Sequence, residues 1–432
     1  MPAAALVVAV VGAVVLLALT ARAVPEQPVP VVTDDDLARD FTDEERAREK
    51  TFRRRVRPWG LAATALDVLV PTVLVLSGAV AAVVDATPGP WWVQALAGFL
   101  LLVIVTRLVT LPCGVVVRRV CLEVGLATGS WGRWVRDLLV GLALGLVLGG
   151  AATVGWVGAA RFWPDAWWLP VALAAAVLVV AASFLFPVLV EPLFLRFAPM
   201  PEGALRDDLL SLAERDGVHV RDVLVADASR RTSALNAYVS GLGRTRRIVV
   251  HDTLLDRGAD DEVRAVVAHE LGHVVAHDVR TGTLLGALGA VVTVAASAVV
   301  LASATVLSWG HVTSVGEPAA VGLLVAGGAW LGLLTAPVQN AVSRRIERRA
   351  DAHSFELADD PSTVARMQRT LAVTNLAPLR PPRLLHLWFG THPTSPERIA
   401  AARAWAARSG DVVPDLVGGQ DQPGASGARS ST

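Results

Sequence analysis

The residues in this chain best placed to do chemistry are His269-Glu270-Leu271-Gly272-His273. Two histidines four apart on a helix project from one face, one turn apart. That spacing lets both imidazoles reach a single tetrahedral Zn²⁺, and it leaves Glu270 beside the ion, where it can take a proton from bound water. The surrounding run from 261 to 278 reads as one helix. A catalytic zinc needs three protein ligands and one open position. In one common pattern the third ligand is a histidine ten residues after the first, but Val279 stands there, and Ala276 replaces that pattern's glycine. The third ligand therefore lies elsewhere. Ser343-Arg344-Arg345-Ile346-Glu347-Arg348-Arg349-Ala350-Asp351 supplies two carboxylates four apart on a helix, Glu347 and Asp351. One of them can ligate zinc while the other accepts a hydrogen bond from a ligand imidazole. Taken alone, the same stretch would be an amphipathic helix with solvated ion pairs.

The elements that must position these groups are not those of a soluble protein. The chain has 432 residues, is 53% hydrophobic and has a mean hydropathy of +0.51, with its apolar residues in long blocks. Such blocks mark membrane helices, which satisfy their backbone internally across roughly 30 Å of hydrocarbon. Seven spans are predicted, at 3–20, 61–84, 91–117, 138–160, 167–190, 284–307 and 319–336, the last ending at Pro337. Ala21-Arg22-Ala23 after the first resembles a signal-peptidase site, but no basic residue precedes the apolar run, so an uncleaved span is the better reading. Gly141, Gly145 and Gly149 form a small-residue stripe suited to close helix packing. Trp91, Trp92, Trp163, Trp167 and Trp168 sit at predicted span ends, as interface aromatics do. Asp67 and Arg107 fall inside spans, either as a pair lining a polar cavity or as a structural ion pair. Cys113 and Cys121 read as small packing residues rather than a disulfide or metal site.

The predicted divisions are a first span over 1–24, a charged loop with a surface helix over 25–60, and spans two to five over 61–190. A metallopeptidase domain with the HExxH helix follows over 191–280, then spans six and seven over 281–340. The C-terminal part of the catalytic domain covers 341–410, and 411–432 reads as a disordered tail. Within the soluble parts, a helix runs from Pro201-Glu202-Gly203 to Asp216, and short strands fall at 223–226, 237–240 and 248–251. Further helices fall at 339–358 and 396–407. Arginines crowd alternate loops, whereas 85–90, 161–166 and 308–318 carry almost none, Arg161 excepted. The positive-inside rule then puts the N-terminus outside and both the metal helix and the C-terminus in the cytoplasm. A net charge of zero gives no reason to expect a nucleic-acid partner; the partner implied is the lipid bilayer. Lys50 is the only lysine, and the abundance of Arg, Ala and Val points to a high-GC bacterial genome and hence a bacterial cell membrane.

A wider set of residues carries a family resemblance. Leu111-Pro112, Glu191-Pro192-Leu193-Phe194, Pro201-Glu202-Gly203 with Leu205-Arg206, and Asn236-Ala237-Tyr238 with Gly241 come first. Arg247-Ile248-Val249-Val250, His269–His273, Ser343-Arg344 with Glu347 and Ala350-Asp351, and His392-Pro393 with Glu397-Arg398 follow. In this order and spacing the chain resembles the integral-membrane zinc CAAX prenyl endopeptidases and, more distantly, the bacterial HtpX membrane proteases. The resemblance implies one zinc ion per chain bound by His269, His273 and Glu347, with Glu270 as general base. It implies a mainly α membrane fold of about seven transmembrane helices around a polar chamber. A zincin-like α/β metallopeptidase domain is inserted between spans five and six and completed by the C-terminal segment. The implied substrate is a peptide or protein, including one with a lipidated or membrane-embedded tail. Two features depart from the CAAX pattern. His277 stands one residue earlier than the histidine often found there, followed by Asp278 as in the HtpX pattern, and the 308–318 loop is short. His277 reads as a surface helix histidine in preference to one lying near the metal.

The remaining roles follow from peptide hydrolysis. The oxyanion needs a donor besides zinc, and His392 is the candidate; otherwise it caps a loop beside Pro393. Arg398 holds His392 or Asp351, binds a substrate carboxylate, or is an ordinary helix-end arginine. Asn236, Ala237 and Tyr238 (the only tyrosine) form an edge strand able to pair with an extended substrate, or a purely structural one. A quality-control protease for membrane proteins is the nearest rival. A transporter should show inverted repeats and several mid-span charges, which are lacking. An idle scaffold would have lost Glu270 or a ligand.

Overall fold

The computed structural model describes residues 2–241, 243–358 and 360–417; the last fifteen residues of the predicted tail lie outside them. Among the described residues, seven helices are long and apolar enough to cross a membrane. The first is Pro2–Ala23. The second is Asp43–Leu76, 34 residues and so about 50 Å long, well beyond the hydrocarbon thickness. Thr42 caps it: its hydroxyl accepts from the Glu45 N–H at 3.1 Å and the Glu45 carboxylate accepts from the Thr42 N–H at 2.9 Å. The predicted charged loop is therefore largely helical. Its second half is the polar extension of span two, and a shorter capped helix, Asp34–Asp40, precedes it. The far end turns at Gly78, whose φ of 75° suits glycine, into the short helix Ala79–Ala86.

Spans three to five are Trp91–Glu123, Trp131–Phe162 and Trp168–Leu185, the last continuing through a π-helical turn, Phe186–Val190. The sixth is Asp278–Val300. The seventh, Val321–Leu357, does not end at Pro337 as predicted. It continues without a break into the predicted 339–358 helix, because a membrane helix tolerates one missing backbone donor when its neighbours hold it. This 37-residue rod carries Glu347 and Asp351 from the bundle to the metal helix.

Three further expectations change. Gly141 and Gly145 face open space, whereas a Cβ on Gly149 would stand 2.5 Å from the Phe99 ring and one on Gly150 would stand 3.1 Å from Leu96. Close approach to span three is thus confined to the later part of span four. Trp167 and Trp168 are buried rather than interfacial, with Trp167 edge-on to Trp156 at 5.6 Å. Asp67 and Arg107 are both exposed, and no ion pair joins them among the described residues. Cys113 and Cys121 are free thiols.

The peptidase domain is built on a four-stranded sheet: β1 Phe197–Pro199, β2 Asp222–Ala226, β3 Ala237–Ser240 and β4 Arg247–His251, in the order β1-β2-β4-β3. β2 and β4 are parallel; β1 and β3 pair antiparallel at the two edges. The three-residue β1 had no readable signal, ending as it does in Pro199. Helix Ala204–Arg215 and the metal helix Asp260–Val275 share one core with the sheet through Leu209, Leu212, Ile248, Val250, Val263 and Leu271. Phe41 from the N-terminal segment and Val413 and Leu416 from the predicted tail enter the same core. The Leu416 N–H donates to the Arg39 carbonyl at 3.1 Å, so 411–417 is packed rather than disordered. Helices Pro361–Thr374 and Arg383–Phe389, which were not predicted, and Ser395–Ser409 complete the domain.

Candidate metal centre

The metal helix is buried on most of its circumference: Val263, Ala265, Val267, Ala268 and Leu271 are all in the core. Its two histidines therefore have fixed rotamers rather than solvent freedom. The seventh-span helix crosses it so closely that a Cβ on Gly272 would stand 3.1–3.2 Å from His353 and Ala350. That approach delivers Glu347 to the histidine face.

Three ligand atoms converge. His269 Nε2 lies 3.3 Å from His273 Nε2 and 3.3 Å from Glu347 Oε2, and His273 Nε2 lies 3.6 Å from Glu347 Oε1. Ligands about 2.0–2.1 Å from a tetrahedral zinc stand about 3.3 Å apart, so this triangle fits the ion. The chemistry of the donors fits too. Glu347 Oε2 is buried without a hydrogen-bond partner among the described residues, and the two facing Nε2 atoms need a cation between them.

The opposite side of each imidazole is held by a carboxylate. His269 Nδ1 faces Asp351 at 3.0 Å and His273 Nδ1 faces Asp278 at 2.9 Å, which leaves both Nε2 lone pairs free to ligate. Of the two carboxylates found in sequence, Glu347 is thus on the ligand side and Asp351 behind His269. Asp351 is gripped by Arg398, whose Nε donates to both carboxylate oxygens at 3.0 Å. With Gln368 oriented to satisfy both groups, its side-chain oxygen also accepts from Arg398 at 3.1 Å. Arg398 is therefore occupied in positioning. On the other side Arg349 donates to Asp278 and, at 2.9 Å, to the Ala23 carbonyl that ends the first span. His277 is exposed, as the surface reading expected, but it sits off the helix: it adopts φ 55° in the turn that stops the metal helix and lets Asp278 open the next one.

Electrostatics follow the same plan. Burial and Arg398 both oppose a proton on His269, but the Asp351 and Glu347 carboxylates outweigh them and push its pKa up to about 9. A proton thus occupies this imidazole where metal would otherwise balance the carboxylates. Burial raises the Glu270 pKa above the ordinary carboxylate value. Among the described residues nothing hydrogen-bonds the Glu270 carboxylate, which lines a cavity of about 520 Å³ with His269, Glu347, Asn236 and His392. His392 reaches within 3.5 Å of Glu347 Oε1, and its Nδ1 meets the Thr391 hydroxyl at 2.7 Å. Partial burial of this ring, opposed by Glu347, holds its pKa below the ordinary histidine value.

β3 is an edge strand beside the metal helix, and Asn236, just before it, opens onto the cavity. Ala237 is buried. The Tyr238 ring turns away, edge-on to His251 at 6.2 Å, with its hydroxyl on Glu191. Burial, followed by that carboxylate, raises the Tyr238 pKa. Sequence reading missed Asn375, which holds both the N–H and the carbonyl of Leu235 at 2.9 and 3.1 Å and so fixes the approach to the strand. It also gave Asp278 and Arg349 no role. Asp278 had a signal, as an acid five residues beyond a candidate ligand; Asn375 and Arg349 had none.

A buried two-histidine, one-glutamate triangle beside a free glutamate, on a seven-span bundle, defines a membrane metallopeptidase. The description of peptidase family M48 matches residues 199–406, and that of the CAAX prenyl protease N-terminal region of five membrane helices matches 17–196. An uncharacterized metalloprotease, YhfN, of Bacillus subtilis is 30% identical over 316 residues, covering 72% of this chain and 74% of that protein. CAAX prenyl protease 1 of Saccharomyces cerevisiae is 36% identical over 143 residues, which is 32% of this chain and 31% of the yeast protein. The aligned stretch is thus about a third of that relative's length. The crystal structure of S. mikatae Ste24p superposes with a TM-score of 0.75 at 22% identity, covering 92% of this chain and 98% of that one, and shares the fold. The chain belongs to peptidase family M48, whose members are metallopeptidases that typically use zinc, and it is built on the membrane plan of the CAAX prenyl proteases.

Proposed function

We propose that the chain binds one zinc ion through His269, His273 and Glu347 and hydrolyses peptide bonds in substrates lodged in the adjoining cavity. The observation that carries this reading is the ligand triangle at zinc spacing with the unpartnered Glu270 carboxylate beside it. Bound zinc supplies Lewis acidity, lowering the pKa of water and polarising the scissile carbonyl. Glu270 takes the proton of the attacking water and returns it to the leaving amine; its raised pKa suits both transfers. His392 donates Nε2–H to the developing oxyanion. The free edge of β3, from Asn236 through Ala237 and Tyr238, pairs with the extended substrate backbone. Asp351 with Arg398, and Asp278 with Arg349, orient the two imidazoles. The working unit is one metallopeptidase domain, residues 191–280 and 341–410, interrupted by spans six and seven.

The substrate class that fits best is a C-terminal tail carrying a lipid, as the relatives named CAAX prenyl proteases suggest. Leu235, Val266, Met367, Leu371 and Phe389 give the cavity an apolar lining beside its polar site. The arginine-rich span ends support a cytoplasmic active site, and the composition together with the Bacillus subtilis relative supports a bacterial cell membrane. Asp278, placed as in the HtpX pattern, favours the second reading, clearance of misfolded membrane proteins. Cleavage of a farnesylated peptide set against its unlipidated twin and a loosely folded membrane protein distinguishes them. Preference for the farnesylated peptide supports the tail reading, and cleavage of the unfolded protein alone rejects it.

A further inference from the structure

A second pocket lies away from the metal, where the membrane bundle meets the peptidase domain. It encloses about 290 Å³ between the start of span four and the segment after span five, and Arg133, Arg136, Arg196, Arg230, Arg231 and Asp227 line it. Five guanidinium groups here face two carboxylates. Arg231 is spent on Asp137 at 2.9 Å and Arg230 on Asp227 at 2.8 Å. Arg133 donates to the Arg230 carbonyl at 2.5 Å, and Arg136 to the Leu193 carbonyl at 3.2 Å as well as to Asp137. The Arg196 guanidinium has no partner among the described residues. The pocket therefore keeps an excess of positive charge and unused N–H donors. Apolar surface adjoins it: Trp131, 41% exposed, stands at the start of span four, and exposed Val188 and Leu189 lead from the end of span five toward Pro192 and Leu193 in its wall.

We propose that this pocket binds the phosphodiester headgroup of an anionic phospholipid, with the acyl chains lying along the exposed apolar end of span five. Charge, donors and an adjoining apolar strip occur together only for a ligand that is anionic at one end and hydrocarbon at the other. The site also sits on a seam. Thr128 Oγ1 donates to the Ser229 carbonyl at 2.6 Å, the Ser233 N–H to the Leu126 carbonyl at 3.0 Å, and Ser233 Oγ to the Gly125 carbonyl at 2.9 Å. This stitches the loop between spans three and four to residues 228–234, which run directly into Leu235 and Asn236 of the metal cavity. A headgroup bridging Arg133 and Arg136 to Arg196 and Arg230 clamps that seam.

The test is lipid retention by the intact chain in detergent, measured by native mass spectrometry after equilibration with equal phosphatidylglycerol and phosphatidylcholine. An arginine held close to an anionic headgroup strengthens its binding about fivefold, so Arg136→Gln with Arg196→Gln should lower the preference for phosphatidylglycerol roughly twenty-five-fold. The paired lysine substitutions should keep most of it, and Arg119→Gln, on the same membrane surface outside the pocket, should keep all of it. Equal loss in Arg119→Gln would show a general surface charge effect and overturn the site. Unchanged preference in the paired glutamine variant would overturn it too. Inorganic phosphate that displaces phosphatidylglycerol at equal concentration would make the ligand a free anion rather than a lipid.

Discussion

Replacing Arg398 by methionine removes the guanidinium that, among the described residues, hydrogen-bonds Asp351. The Asp351 side chain is 4% exposed and that of Arg398 12%, so the pair is shielded from water. Deleting one partner of such a pair leaves a buried charge uncompensated and costs about 3–5 kcal/mol. The effect on metal is separate. Asp351 orients His269 through Nδ1 at 3.0 Å, and losing an outer partner of a ligand imidazole typically weakens metal binding about 10–100-fold. Arg398→Lys keeps the charge but not the fork onto Asp351 and Gln368, so it should fall between. The assay is competition for zinc against a chromophoric chelator, paired with denaturation of the metal-free protein in detergent. The prediction is weaker zinc binding and lower stability, with KM almost unchanged among molecules that retain metal. The reasoning is refuted if Arg398→Met binds zinc within twofold of the natural chain while KM rises only for substrates with a free C-terminal carboxylate. Arg398 would then be a substrate residue.

Other consequences are testable in the same preparation. Because the His269 pKa in the metal-free protein is raised to about 9, zinc must displace a proton at any lower pH; apparent affinity should fall about tenfold per unit from pH 9 toward 7, and a flat profile would contradict this. The same shift stabilises the metal-free fold, fully below the unfolded value of about 6.5 and no longer above about 9, so its melting temperature should drop across that window. His392→Phe should lower kcat about 10²–10³-fold with zinc content and KM little changed, as loss of one oxyanion donor does; unchanged kcat would assign His392 to the loop alone. Gly149→Leu should drive a side chain into Phe99 and cost about 1–3 kcal/mol, read as a lower melting temperature, whereas Gly145→Leu, facing open space, should cost little.

The chemistry was easier to read than the frame that holds it. His269, Glu270 and His273 are legible because a helical turn fixes their separation whatever surrounds it. Glu347 and Asp351 were found as a pair, but only the crossing of two helices at Gly272 decides which one faces the metal. Local rules failed where tertiary context outweighs them. Pro337 is a stop signal on an isolated helix and not in a bundle, and Trp167 is an interface residue by type but a core residue by position. Charge over 25–60 suggested a loop with a surface helix, and the Thr42 capping box and the lack of glycine in 43–57 carry that helix straight into span two. The packing of Val413 and Leu416 was hidden in a segment whose average composition is that of a tail. Asp278, Arg349 and Asn375 act across 5, 71 and 140 residues of sequence on His273, Asp278 and Leu235, and the two longer links leave no local trace.

The central claim is that Glu270 moves the proton while His269, His273 and Glu347 hold the ion. Glu270→Gln tests it most directly, since glutamine fills the same space and leaves the ligand triangle intact. Both proteins should carry one zinc per chain by elemental analysis. Peptide cleavage should persist in the natural chain and be lost, by about 10²–10⁴-fold, in the variant. Cleavage by Glu270→Gln at the natural rate with zinc bound would contradict it, and so would absence of zinc from the natural, active chain.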